Sequence, residues 1–177
     1  GLLAGENQRL YVAGNDAVVV VEQSQSRELP WQRADGHAAT AAITAYNQRL
    51  YALDATAGQL FRYRRTGTAI TDGTPWLRQA QPATALRDVG ADGSVYLLTA
   101  NGVQKFNQGA AVAFSPAGIW PSLTDATTLA VGALNLYIVE PAQNRLLVIN
   151  KRTAALERQY RTPALGSATA LAVEPSE

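Results

Sequence analysis

The sequence predicts an all-β chain built as a β-propeller, and three observations carry that expectation. A Leu-Tyr or Val-Tyr pair recurs four times, at Leu10 and Tyr11, Leu50 and Tyr51, Val95 and Tyr96, and Leu136 and Tyr137. The four tyrosines are separated by 40, 45 and 41 residues, and a period near 40 containing only strand-like segments marks propeller blades. No segment holds apolar residues at i, i+3, i+4 and i+7 over a helix's length, whereas period-two alternation is plain at 60–64 and 156–160.

The elements follow in order. Leu3 stands eight residues before Tyr11, as Ile43 does before Tyr51 and Leu129 before Tyr137, so residues 1–4 read as the tail of an innermost strand. Residues 9–13 and 17–23 form a hairpin closed by Gly14, Asn15 and Asp16, with an outer strand at 27–31. After a polar loop at 32–39, the second blade takes 40–45, 49–54, 59–65 and 69–77. The loop at 78–85 contains Pro82, which keeps it out of regular structure. The third blade takes 86–90, 94–99, 102–107 and 111–114, with Asp92-Gly93 and Asn101-Gly102 as tight turns. The fourth takes 128–132, 136–140, 145–150 and 155–161. Residues 169–173 then repeat the innermost-strand pattern, giving blades at about 1–31, 40–77, 84–114 and 127–161 and an extra inner strand at 168–174.

One four-stranded sheet cannot bury both of its faces, so blades must stack. The two residues of each Leu-Tyr pair point to opposite faces and offer one side chain to either neighbour. Trp31, Trp76, Trp120 and Tyr160 each fall 20 to 25 residues after an anchor tyrosine and are expected near outer strands, packed between blades. Four hairpins but five inner-strand patterns leave two readings open: a four-bladed ring with a spare strand, or an arc of a larger ring of about six blades. The arc is the favoured one. It would expose apolar blade faces that call for further blades or a partner chain. The chain has no Met and starts at Gly1, which fits an excised piece of a longer protein.

Composition bounds the function. The chain has 177 residues, 47% hydrophobic and 16% charged, so it is neither disordered nor solvated by charge. No apolar run approaches the roughly 18 residues of a membrane span. A net charge of +1 predicts no bulk attraction to nucleic acid. The absence of Cys excludes disulfides and thiolate-ligated zinc. The basic residues are 13 Arg and only Lys105 and Lys151, and heavy Ala and Arg use suggests a GC-rich bacterial gene.

The second blade runs Ile43, then Arg49, Leu50, Tyr51 and Asp54, then Gln59, Leu60, Phe61 and Tyr63. The fourth runs Leu129, then Leu136, Tyr137 and Glu140, then Arg145, Leu146 and Ile149. This order resembles NHL-type repeats, with Glu140 in place of the usual Asp and no Gly after the third strand. The first and third blades have shorter hairpins and no acid at the Asp54 position. The pattern is also similar to the propellers appended to bacterial kinases and phosphatases as extracytoplasmic sensors. The resemblance implies ligand or protein binding without catalysis, and an extracytoplasmic domain of a bacterial protein.

Residues bearing chemistry are few. His37 is the sole histidine and shares a polar loop with Asp35, where a solvated role is expected. No cofactor motif, calcium loop, phosphate loop or nucleophile elbow is present, so no cofactor or metal is expected. Asp54 and Glu140 occupy matching positions. Each is expected to cap its own turn, and the alternative is a carboxylate pair of the kind that hydrolases and lyases use. Arg62, Arg64 and Arg65 interleave with Tyr63, a pattern that reads as a solvated edge rather than an RNA face. The main expectation is a non-catalytic binding or sensing module. Its rim loops carry Asn15, Asp35, His37, Asp54, Gln59, Arg78, Asn101, Asp125, Glu140 and Arg145. A third possibility is a scaffold that completes a ring with another chain.

Overall fold

Alternating side chains commit each segment to a pleated strand with one face to bury. The computed structural model, which describes residues 2–6, 8–82 and 86–173, shows four four-stranded antiparallel sheets. The first holds β1 (Leu3–Glu6), β2 (Arg9–Ala13), β3 (Ala17–Glu22) and β4 (Gln25–Pro30). The second holds β5 (Ala42–Tyr46), β6 (Arg49–Asp54), β7 (Gln59–Arg65) and β8 (Ile70–Pro75). The third holds β9 (Leu86–Ala91), β10 (Val95–Thr99), β11 (Gly102–Asn107) and β12 (Ala110–Val112). The fourth holds β13 (Thr128–Val131), β14 (Asn135–Glu140), β15 (Arg145–Asn150) and β16 (Leu156–Arg161). Within every sheet the strands lie in chain order. The fold is all-β, made of four propeller blades, and the described residues contain no α-helix.

Antiparallel order fixes two edges for each blade. The turns after the first and third strands fall on one edge. The turn after the second strand, and the loop leaving the fourth, fall on the other.

The chain divides into two compact units, Gly1–Ala85 with Gln108–Ala110, and Leu86–Asn107 with Ala111–Glu177. In the first, Tyr11, Val18, Val20 and Leu29 of one blade meet Leu50, Phe61, Tyr63 and Ile70 of the next. In the second, Tyr96, Leu98 and Val103 meet Leu129, Leu136, Ile138 and Leu147. The two cores use the repeat in the same way. The leading blade supplies its tyrosine, Tyr11 or Tyr96, and the following blade supplies its leucine, Leu50 or Leu136. Each large apolar side chain buried this way contributes roughly 1.5–3 kcal/mol relative to exposure. Tyr51 points out of the first core and meets Trp76 edge-on, with ring centroids 5.8 Å apart.

Two expectations are corrected. Trp31 is buried in the first core, but Trp120 is 82% exposed and Tyr160 is 47% exposed, so neither packs between blades. Trp120 sits in the connection before the fourth blade, which makes one isolated bridge, Ala117 opposite Ala155, and leaves the indole to solvent. Residues 168–173 form no strand, although their pattern matches an innermost one. A lone apolar stretch has no ladder to join, and a 3-10 turn at Pro163–Ser167 precedes it. Residue 174 of the expected strand lies outside the described residues.

Close backbone approaches pin the loop after β8. The Arg78 amide donates to the Gly109 carbonyl and the Gln81 amide to the Gly58 carbonyl. Gly58 has φ 63°, and a Cβ there would lie 1.9 Å from the Gln81 carbonyl oxygen. Only glycine tolerates both the conformation and the approach.

Candidate functional site

Asp54 ends β6 and is fully buried. Its Oδ1 accepts the amides of Thr56 and Ala57, each at 2.9 Å, so it caps its own turn as the sequence suggests. Its Oδ2 accepts the amides of Ala38 and Ala39 from the loop leading into the blade, at 2.9 and 3.0 Å. One carboxylate therefore ties a hairpin to the incoming connection. Burial works to raise its pKa, but the amides of Ala39, Ala57, Ala38 and Thr56 outweigh this and hold it below the ordinary aspartate value.

Glu140 ends β14 in the same position and is also fully buried. Its Oε1 accepts the Thr124 and Asp125 amides at 2.8 and 3.1 Å and the Thr124 hydroxyl at 3.1 Å. Its Oε2 takes the Arg145 guanidinium, with Nε at 2.6 Å. Arg145 is fully buried and also donates to Gln159 and to the Pro121 and Ser122 carbonyls. Burial acts to raise the Glu140 pKa, and the Thr124 and Asp125 amides with Arg145 bring it below the ordinary value. Gln59, across from Asp54 in the ladder, ties down the connection leaving the second blade, whereas Arg145 ties down the one entering the fourth. The Gln59 Oε1 accepts the Leu77 and Leu60 amides, each at 2.9 Å, and its Nε2 donates to the Leu77 carbonyl. Four of the residues expected on the rim are thus fixed internally. Neither carboxylate is accessible to a substrate, which a hydrolase or lyase would need.

His37 corrects the expectation of a solvated loop residue, since it is only 5% exposed. The ring stacks on Phe61 at 4.7 Å and meets Trp31 edge-on at 5.5 Å. Its Nδ1 bonds the Tyr63 hydroxyl, and its Nε2 lies 3.0 Å from the Thr40 hydroxyl. Burial, and next the charge of Arg33, push the imidazole pKa below its usual value. Polar loop composition hid this burial. Tyr63 is fully buried while Arg62 and Arg64 are exposed, so the alternation of β7 separates base from aromatic and forms no stacking face. Asn15, Asp35, Arg78, Asn101 and Asp125 are exposed on the expected edge, where Arg78 bonds the Gln108 carbonyl and the Asn15 carbonyl accepts from Arg33.

A surface recess of about 500 Å³ in the second unit has no direct sign in the sequence. It lies on the opposite blade edge, where the β9–β10, β13–β14 and β15–β16 turns converge. Lys105, Lys151 and Arg152 line it together with Asp92. The Lys151 ammonium pairs with Asp92 Oδ2 at 2.5 Å and also donates to the Gly132 carbonyl. The Lys105 ammonium lies over the Tyr96 and Phe114 rings, 5.4 and 5.8 Å from their centroids. The Tyr96 hydroxyl is pushed up to about 12 by burial and the charge of Asp92, so it stays protonated at neutral pH. The one available signal is the scarcity of lysine: the chain's two, Lys105 and Lys151, both line the recess. Among the described residues, no group of three or more His, Asp or Glu is placed to hold a metal ion. None of their helices is long and apolar enough to cross a membrane.

No family model matches the chain, and no curated protein does. Solved structures do match. The chain is similar to one in the crystal structure of a nidogen/laminin complex, with 12% identity and a TM-score of 0.66, covering 92% of this chain and 64% of that one. It is similar to the computationally designed Ika8 protein, with 18% identity and a TM-score of 0.59, over 97% of this chain and 52% of that one. It is also similar to the glutaminyl cyclase of Myxococcus xanthus, with 15% identity and a TM-score of 0.65, over 98% and 80%. The chain thus spans less than two thirds of the first two proteins. At these identities the likeness shows the propeller fold alone, a scaffold compatible with a binding module.

Proposed function

We propose that this chain is a non-catalytic recognition module of a larger protein, with the recess of the second unit as its ligand site. The observation that carries this reading is a division of labour among polar side chains. Asp54, Glu140, Arg145 and Gln59 are engaged by the chain's own backbone and side chains. Lys105 and Arg152, by contrast, face the recess with no ion-pair partner among the described residues. A concave site with a few convergent polar groups is the usual setting for a small ligand.

Two measurements on the wild-type chain test it. Saturation-transfer NMR with a mixture of aromatic acids, amines, alcohols and sugars should show binding that Ser94→Trp, which fills the recess, removes. Nitrophenyl glycosides and esters should release no nitrophenol above the buffer control. Turnover lost in Glu140→Gln would overturn the reading, as would binding unchanged in Ser94→Trp.

A further inference from the structure

We infer that the recess selects a small organic anion, a carboxylate or phosphate head on an apolar body. This rests on the recess being the ligand site. Three cations line it against the single carboxylate of Asp92, which leaves two surplus positive charges. The chain as a whole carries only +1, so the surplus is local.

The three cations differ in role. The Lys151 side chain is only 12% exposed and is held by Asp92 and the Gly132 carbonyl, so it neutralises Asp92. Lys105 is held instead by two aromatic faces, which fix an ammonium in place without cancelling its charge. The Arg152 side chain is exposed and free of any ion pair among the described residues.

The carboxylate and side-chain amide oxygens of the recess are already engaged. Asp92 Oδ1 accepts the Ser94 amide and Oδ2 accepts Lys151. Asn150 Oδ1 accepts the Arg152 and Thr153 amides, while its Nδ2 donates to Glu157. Apart from the Ser94 and Tyr96 hydroxyls, what remains on offer is the charged donors of Lys105 and Arg152, which suit an anionic acceptor. Leu134, 75% exposed at the wall, supplies an apolar surface for the ligand's body.

Calorimetric titration of the wild-type chain with phenyl phosphate, phenylacetate, phenethyl alcohol and inorganic phosphate tests this. Both organic anions should bind, and the neutral alcohol should bind at least about tenfold more weakly, a ratio that corresponds to roughly 1.4 kcal/mol. Lys105→Gln and Arg152→Gln should each weaken the anions about tenfold, while Lys105→Arg keeps the affinity. Leu134→Ser should weaken the organic anions and leave inorganic phosphate unchanged. Affinity should fall as salt rises from about 0.05 M to about 0.5 M. A preference for phenyl phosphate assigns a phosphate head and a preference for phenylacetate a carboxylate, and either upholds the class. Equal binding of the alcohol, with Lys105→Gln and Arg152→Gln both without effect, overturns the selectivity but keeps the recess as a site. Silence from these compounds and from the mixed aromatic, amine and sugar set overturns both.

Discussion

The second and fourth blades solve one problem with different chemistry. In both, the acid closing the second strand reaches back to amides 16 and 15 residues earlier, Ala38 and Ala39 for Asp54, Thr124 and Asp125 for Glu140. In both, its ladder partner is polar, Gln59 or Arg145. Asp54 needs no charged partner, because its own turn offers two amides to its second oxygen. The matching amides after Glu140, those of Ala142 and Gln143, lie in a 3-10 turn at Pro141–Gln143 that receives no side-chain bond from Glu140 at its N-cap. The second oxygen of Glu140 turns to Arg145 instead. The position therefore asks for an acceptor aimed at the incoming loop. What satisfies the rest of the carboxylate depends on the turn.

The largest expected effect separates the two. Glu140→Ala leaves the fully buried Arg145 charge unpaired and should lower unfolding stability by about 3–5 kcal/mol. Asp54→Ala strands no charge, only the amides of Ala38, Ala39, Thr56 and Ala57, all in exposed residues, and should lower it by about 2 kcal/mol. Urea unfolding measures both, and equal losses would dissolve the distinction. Adding Arg145→Met to Glu140→Ala should recover part of the loss, since an apolar replacement removes the stranded charge.

Acid sharpens the comparison at smaller cost. Both carboxylates have folded pKa values below their ordinary 3.8 and 4.5. Each contributes stability that is present above its unfolded pKa and is lost as pH falls through its folded pKa. Glu140→Gln should therefore flatten the loss of stability that begins near pH 4.5, and Asp54→Asn the loss that begins near pH 3.8. A variant as acid-sensitive as wild type would show that its carboxylate is not held as described.

The smallest effect belongs to the first unit alone, which contains the single histidine. Its depressed pKa means the neutral ring is favoured in the fold, so its contribution is present above pH 6.5 and is lost as pH falls through the folded value. The His37 Cε1 proton should titrate with a midpoint below 6.5 by NMR. A midpoint at or above that value would contradict the buried stack on Phe61.

The blades were legible because their cause is local. Alternation and a repeated Tyr near every fortieth residue determine strands, pairing and the inward face. The self-capping of Asp54 was legible for the same reason. Its grip on Ala38 and Ala39 was not, because nothing in a polar loop shows where its amides point. The burial of His37 is hidden on the same ground. The spacing of Trp120 from Tyr96 likewise says nothing about whether a neighbouring face awaits it. The recess is not legible in the sequence because Asp92 and Lys151, its ion pair, stand 59 residues apart.

The backward reach of Asp54 and Glu140 also bears on how such a repeat can be copied. A segment duplicated from the innermost strand onward would inherit the acid and leave behind the amides it holds. The transplanted hairpin would then carry a buried anion with half of its ligands missing. The structural unit of these two blades is therefore out of phase with the visible sheet. It begins about four residues ahead of the first strand, at Ala38 before Ala42 and at Thr124 before Thr128.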